Sequence, residues 1–324
     1  MTNRLPNTKF FKALLAITLI VLWCDAAYSQ VPISETSGNK ELFIHATVTD
    51  NFGRYVSGIN VKGFFIEVDN LPQTIKSFSA DDEPTTVGIL VDKSGSSKNL
   101  NSALPKALSR FVSQSNSSNE YFVTAFNTTQ AEFLDFSQEE KNVIPAIKKL
   151  MLMPSASNTA FYDAVADALT KLERARFKKR VLLIVSDCLD NSSKLSVGKL
   201  VEMAKQSDAL IYIIGSDVNS GSALAVQGQS IAERLAKISG GRAFFPQTVG
   251  ELNEVGERVA LMLRNQYKFG FEPTGKNGLL AENKWYDLDI KSSFRFKKAD
   301  EQAYGLKNVY VWARSGFYLN DTQK

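Results

Sequence analysis

Apolar positions along this chain change their period twice. Between Glu41 and Ala80 they come in short runs, at residues 42–49, 64–68 and 74–78, broken by Asp50-Asn51-Phe52-Gly53 and by Asp69-Asn70. Runs of this length bounded by Asp, Asn and Gly predict β-strands joined by turns. From Glu83 the pattern becomes an alternation. Apolar segments at residues 87–91, 121–126, 181–185 and 209–214 predict strands, with shorter ones at 131–136 and 242–245. The run VLLIV at 181–185 has no polar break and predicts a strand buried on both faces. Between these segments, apolar residues recur at helical spacing. The clearest sets are Leu104, Leu108, Phe111 and Val112, then Val143, Ile144, Ile147 and Leu150, then Phe161, Ala164, Val165, Ala168, Leu169 and Leu172; three later sets begin at Val197, Ile231 and Leu252.

After Gln266 strand-like runs return, at residues 267–271, 285–290 and 309–314. The whole pattern predicts an α/β fold. A doubly wound, mostly parallel, Rossmann-like sheet over residues 83–266 is expected to be inserted in a small β-sandwich. The sandwich is formed by the N-terminal strands of residues 41–82 and the C-terminal strands of residues 267–324.

An export signal is expected ahead of these segments. Arg4, Lys9 and Lys12 precede an apolar run at residues 13–23, and Ala27-Tyr28-Ser29 offers small residues for cleavage before Gln30. The run is shorter than the about 20 residues that span a membrane. Residues 1–29 therefore read as a signal peptide and 30–40 as a polar linker. The mature chain is expected in the secreted fraction, periplasm or cell envelope, with no transmembrane segment. Removing that peptide takes three positive charges and one negative from the net +4, leaving about +2. The remaining Lys and Arg are scattered, so nucleic acid is not an expected partner. Cys24 leaves with the signal, and Cys188 then has no partner for an internal disulfide.

Candidate chemistry lies at the carboxyl ends of the predicted strands, where doubly wound sheets bind ligands. The strand at 87–91 delivers Asp92, and Asp92-Lys93-Ser94-Gly95-Ser96 alternates a carboxylate with two hydroxyls, D-x-S-x-S. A second loop, residues 154–159, ends in Thr159 before a helix expected to start at Ala160, where Thr159 also reads as an N-cap. The third loop, Ser186-Asp187, follows VLLIV. Two carboxylates and three hydroxyls, with no His or Cys set, suit a hard cation: Mg²⁺, Ca²⁺ or Mn²⁺. D-x-S-x-S alone is ordinary turn chemistry. The later Thr and Asp, each at an element boundary, make it a candidate metal site.

These residues resemble the von Willebrand factor A domain, whose metal-ion-dependent adhesion site joins D-x-S-x-S to a later Thr and a later Asp. The likeness covers residues 83–266. The flanks are similar to exported bacterial proteins related to that domain: V-T-D-x-x-G at 48–53, a Phe64 or Phe65 leading to Asp69, and S-F-S-x-D-D-E-P at 77–84. The resemblance implies that Ser94 and Ser96 bind the metal directly and Thr159 directly or through water. Asp92 and Asp187 would then hold bound waters or the serines. It further implies an exported, non-catalytic binding protein, in which an exposed Asp or Glu of a protein partner completes the coordination of the cation. This chain departs from the family pattern at three places. Cys188 replaces a Gly and is expected to resist positive φ; Ser157-Asn158 replaces Gly-Gly; Lys93 adds a positive charge beside the site.

Residues 270–277 nearly spell a phosphate-binding loop, but the closing Ser/Thr and a following helix pattern are missing. A strand ending in a turn is expected there. The single histidine, His45, falls in the leading β block, so neither a Ser-His-Asp triad nor a His-based zinc site is expected. Two other readings stay open: a structural envelope protein with a degenerate metal site, and a metal-assisted hydrolase working with carboxylates alone.

Overall fold

The computed structural model describes residues 41–95, 103–215 and 222–319; the expected signal peptide, the linker and Ser96 lie outside them. The leading segment forms β1 (Leu42–Thr49), β2 (Phe64–Val68), β3 (Leu71–Gln73) and β4 (Ser77–Ser79). The single strand expected at residues 74–78 is thus replaced by two short ones, because β3 folds back on β2 while β4 joins a different sheet.

The α/β part follows. It runs β5 (Thr86–Asp92), α1 (Leu104–Gln114), β6 (Glu120–Phe126), β7 (Gln130–Ser137), α2 (Glu140–Met151) and α3 (Phe161–Leu172). It continues with β8 (Arg180–Val185), α4 (Val197–Gln206), β9 (Leu210–Ile214), α5 (Ala223–Ser239), β10 (Ala243–Phe244) and α6 (Val249–Arg264). Strands then return as β11 (Tyr267–Phe271), the hairpin β12 (Thr274–Gly275) and β13 (Gly278–Leu279), and β14 (Trp285–Ser292). The short helix α7 (Lys298–Tyr304) precedes β15 (Tyr310–Ala313) and β16 (Gly316–Tyr318). Helix α7 buries no residue, so it has no apolar stripe by which its sequence could announce it.

The central sheet has the order β10-β9-β8-β5-β6-β7. Its neighbours are parallel except β7, which lies antiparallel on β6. Strands β5, β6 and β9 are buried at every position, the physical reason their sequences are so largely apolar. Helices α1, α2 and α6 cover one face through Leu104, Phe111, Ile147, Leu252 and Val259. Helices α3, α4 and α5 cover the other through Phe161, Leu169, Leu200 and Leu235. The winding reverses between β5 and β8: β5 leads on to β6 on one side, β8 to β9 on the other. A crevice opens outside the carboxyl ends of two strands that part in this way.

The flanking strands form two antiparallel sheets, β15-β1-β11-β4 and β16-β14-β2-β3. Each combines strands from both sides of the α/β part: Leu42 pairs with Phe271, Ala46 with Ala313, and Ile66 with Ile290. Ile44, Phe64, Ile66, Tyr267, Phe269 and Phe317 share one core between them. Burying a side chain of this kind contributes about 1.5–3 kcal/mol. Residues 270–277 are the end of β11 running into the β12–β13 hairpin, with no helix after it. No helix among the described residues is long and apolar enough to cross a membrane.

The chain enters and leaves the α/β part side by side. Lys268 Nζ donates to Glu83 Oε1 at 2.6 Å, and His45 Nε2 lies 3.3 Å from Glu83 Oε2. These bonds from His45 and Lys268 hold the Glu83 carboxyl down at about 2. A depressed carboxylate stabilises the fold fully above its ordinary value of 4.5 and loses that contribution as pH falls through 2. Because about a third of the Glu83 side chain is exposed, Glu83→Gln is expected to cost only about 1 kcal/mol at neutral pH. Urea unfolding of both proteins at pH 7 and near pH 3 measures this; the difference should shrink at the lower pH.

Candidate metal centre

β5 ends in a carboxylate that the fold has buried. Asp92 is 1% exposed, and both its oxygens are engaged. The Ser94 N–H donates to Oδ1 at 2.7 Å, and the Ser186 hydroxyl donates to Oδ2 at 2.7 Å. The first bond shapes the turn after β5; the second crosses to the end of β8. Ser186 Oγ in turn accepts the Cys188 N–H at 2.9 Å. Burial pushes the Asp92 carboxyl up to about 6, and the nearby Asp187 carboxylate adds to this against the bonds from Ser186 and Ser94.

Backbone pairing brings the Thr159 loop to the same turn. Ser94 and Ala156 form an isolated parallel bridge, with the Ala156 N–H donating to the Lys93 carbonyl at 3.0 Å. Thr159 is buried, and its backbone is clamped by the loop after Asp187. Its N–H donates to Asn191 Oδ1 at 2.8 Å, and its carbonyl accepts from the Asn191 and Ser192 N–H groups at 3.0 and 3.1 Å. Thr159 does not cap α3, contrary to expectation. Ala160 holds the cap position with no side-chain bond. Asp190 Oδ2 and Ser193 Oγ accept the N–H groups of Tyr162 and Asp163 at 3.1 and 3.0 Å, so the helix is capped from the neighbouring loop.

Asp187 supplies the third element. Its Oδ1 accepts the Leu189 N–H at 3.0 Å, whereas Oδ2 is buried with no hydrogen-bond partner. A buried carboxylate oxygen in that condition costs free energy until something completes it. Helix α5 sets the position of this turn: a Cβ on Gly228 would lie 2.0 Å from the Asp187 carbonyl oxygen, so only glycine allows the helix to press against it.

The three departures from the family pattern are each accommodated. Cys188 does adopt a left-handed backbone, φ 60°, held by its burial and by the bond to Ser186. Burial pushes its thiol well above the ordinary range, so the reactive thiolate is suppressed. Ser157 and Asn158 take no positive φ. Lys93 turns its charge elsewhere: Nζ donates at 3.3 Å to the Met151 carbonyl, at the carboxyl end of α2 where a helix favours a cation.

Asp92, Ser94, Thr159 and Asp187 thus converge at one end of the sheet, while Ser96 lies outside the described residues. Asn191 and Gly228 build this place without having been singled out, and Ser186 was named only as part of the Asp187 loop; the polar run Asp190-Asn191-Ser192-Ser193 was the signal available for Asn191. Among the described residues, no group of three or more His, Cys, Asp or Glu side chains could hold a metal. A cation here would depend on hydroxyls together with the Asp92–Asp187 pair. All are hard oxygen donors, and the unpartnered Asp187 Oδ2 has lone pairs to offer, so the set fits a hard divalent cation.

The family model for the von Willebrand factor type A domain matches residues 86–258. A search of curated proteins returned no match. Among solved structures, the chain is similar to the PilB minor pilin from Streptococcus sanguinis, at 12% identity over 58% of this chain and 63% of the pilin, with a TM-score of 0.47. Less than two thirds of the pilin's length is therefore spanned. It is also similar to the vWF domain of the type V pili tip protein Mfa5 from Porphyromonas gingivalis, at 11% identity over 57% of this chain and 97% of that one, TM-score 0.45. A von Willebrand factor type A structure from Catenulispora acidiphila matches at 13% identity over 90% of this chain and 76% of that one, TM-score 0.46.

The raised Asp92 carboxyl has a defined sign. Ionising it in the fold carries no penalty below its ordinary value of 3.8 and the full penalty above about 6. In Asp92→Asn the amide can still accept from Ser94 and donate to Ser186. The variant is expected to be more stable than the cation-free parent by about 2 kcal/mol at pH 7.5, and by little at pH 4. Thermal melts in chelator at the two pH values check this.

Proposed function

The chain belongs to the von Willebrand factor type A domain family, and we propose that it is an exported, non-catalytic protein-binding module that captures an acidic group of a partner through a divalent cation. The observation that carries this reading is the buried, unpartnered Asp187 Oδ2 at the point where β5 and β8 diverge. In this reading the hydroxyls of Ser94, Ser96 and Thr159 hold the cation, while Asp92 and Asp187 orient the serines and bound waters. Neutral hydroxyl donors leave most of the charge of Mg²⁺, Mn²⁺ or Ca²⁺ uncompensated. When bound, the cation supplies a Lewis-acidic position open to a carboxylate of the partner.

The non-catalytic part of the reading rests on what surrounds the serines. His45, the single histidine, lies on β1 in the flanking sandwich and is engaged with Glu83. Asp92 accepts from the Ser186 hydroxyl and from both the N–H and the side chain of Ser94, bonds that in this reading orient the serine toward the cation. Export rests on the basic and apolar pattern of residues 1–29.

Calorimetric titration with Mg²⁺ and Mn²⁺ tests the site. The parent should bind, and Asp187→Ala should weaken binding at least tenfold; absence of any uptake by the parent would sink the reading. Because a proton on Asp92 must leave for the cation to bind, affinity should fall as pH drops from 7 through about 6. A pull-down from the envelope and secreted fractions, with and without chelator, tests the partner. Capture that persists unchanged in chelator would favour the structural role over cation-dependent binding.

A further inference from the structure

Beside the edge strand β10, where α5 of the α/β part meets β14 and β15 of the sandwich, lies a cavity of about 530 Å³. That volume is in the range that holds small organic ligands. Its walls come from the end of α5 (Ala236, Lys237), the residue before β10 (Arg242), β14 (Leu288, Ile290) and β15 (Trp312). Lys237 is exposed and Trp312 is 36% exposed, so the cavity opens to solvent between them.

Arg242 is the wall whose chemistry is incomplete. Its guanidinium lies 4.2 Å from the Trp312 ring centroid and 5.2 Å from that of Phe244. Nη1 is buried without a hydrogen-bond partner, and no described residue accepts a hydrogen bond from any nitrogen of this side chain. A planar fork of five N–H donors is made for a carboxylate or phosphate. Other charges line the cavity. Asp289 pairs with Lys291 at 3.2 Å, Arg314 lies 3.8 Å from Asp208 and donates to the carbonyls of Gly316, Lys205 and Ser207, and Glu233 accepts from the neutral amide of Gln229 at 2.9 Å. Counted over the lining, Lys237, Arg242 and Arg314 outnumber Glu233 and Asp289, so the cavity is positive on balance.

We propose that this cavity binds a small carboxylate carrying an aromatic or apolar body, with the carboxylate on the Arg242 fork and the body against Trp312 and Ile290. The apolar share of the lining argues for a body of that kind, and the fork for two coplanar oxygens. The site uses no residue of the metal centre, so it stands or falls separately from the cation reading.

The test is calorimetry on the full chain in chelator, with benzoate, benzamide and inorganic phosphate as probes. Benzoate should bind, benzamide at least tenfold more weakly, and phosphate more weakly than benzoate. Arg242→Met should weaken benzoate binding at least tenfold. Its melting temperature should change little, since the guanidinium makes no hydrogen bond to lose and relief of its burial offsets the lost contacts with Trp312 and Phe244. Trp312→Phe, which keeps a ring in place, should weaken benzoate less than Arg242→Met does and serves if the arginine variant fails to fold. No benzoate binding, equal binding of benzamide, a preference for phosphate, or benzoate binding unaltered in both variants would each overturn the proposal.

Discussion

The Asp92 carboxylate joins two strands that otherwise part company. β5 and β8 are neighbours along their length, with Ile89 opposite Leu183, but the chain leaves them toward opposite sides of the sheet. The ladder pairs them as far as Val91 and Val185. Just beyond it, the bond from the Ser186 hydroxyl to Asp92 ties the two diverging segments, and the Ser94 N–H on the other oxygen fixes the turn that follows β5. Burying a carboxylate to make this tie is costly, as its raised carboxyl shows. A neutral pair of similar shape would hold the loops without that cost. Retaining a carboxylate beside a second one at Asp187 makes physical sense where positive charge is to be received.

The Asp187 loop acts as the organiser of its surroundings. Asn191 clamps both sides of Thr159, and Asp190 and Ser193 cap α3. Gly228 fixes how closely α5 approaches the same turn. The position of Thr159 therefore depends on a loop about 30 residues further along the chain, and only weakly on its own neighbours. Local stiffness of this kind is what a binding site needs, since a misplaced oxygen donor loses a hard cation that tolerates little change in geometry.

This also explains where the sequence was readable and where it was not. Unbroken apolar runs such as VLLIV report burial on both faces, which is a local property, and they led directly to β8 and its neighbours. Asp92 and Asp187 were legible because each follows such a run. The cap assigned to Thr159 failed because propensity counts the residues beside a helix, whereas the real caps come from residues 190 and 193. The left-handed backbone at Cys188 went against residue preference because a buried hydrogen bond outweighed it. Lys93 looked like a charge beside the site because a sequence carries no direction for a long side chain, and the helix end that receives it lies 58 residues away. Helix α7, which buries no residue, left no apolar pattern.

The inserted topology gives the carboxyl ends of the central sheet and its β10 edge different access. At the carboxyl ends of the strands the loops face outward, and nothing from the sandwich is needed to build the Asp92–Asp187 pair. Beside β10, the sandwich packs directly on α4 and α5 of the α/β part. Arg314 donates to the carbonyls that end α4, and the αL glycine at 240 comes so close to the Arg314 backbone that a Cβ there would lie 2.5 Å from its nitrogen. Those contacts leave a cavity with an open mouth, walled by β14 and β15 on one side and α5 on the other. An open end with an unsatisfied acceptor suits a cation and the surface of a large partner. A recessed cavity with an unsatisfied guanidinium suits something small and anionic, and its walls exist because β14 and β15, which follow the insertion, return to lie against α5.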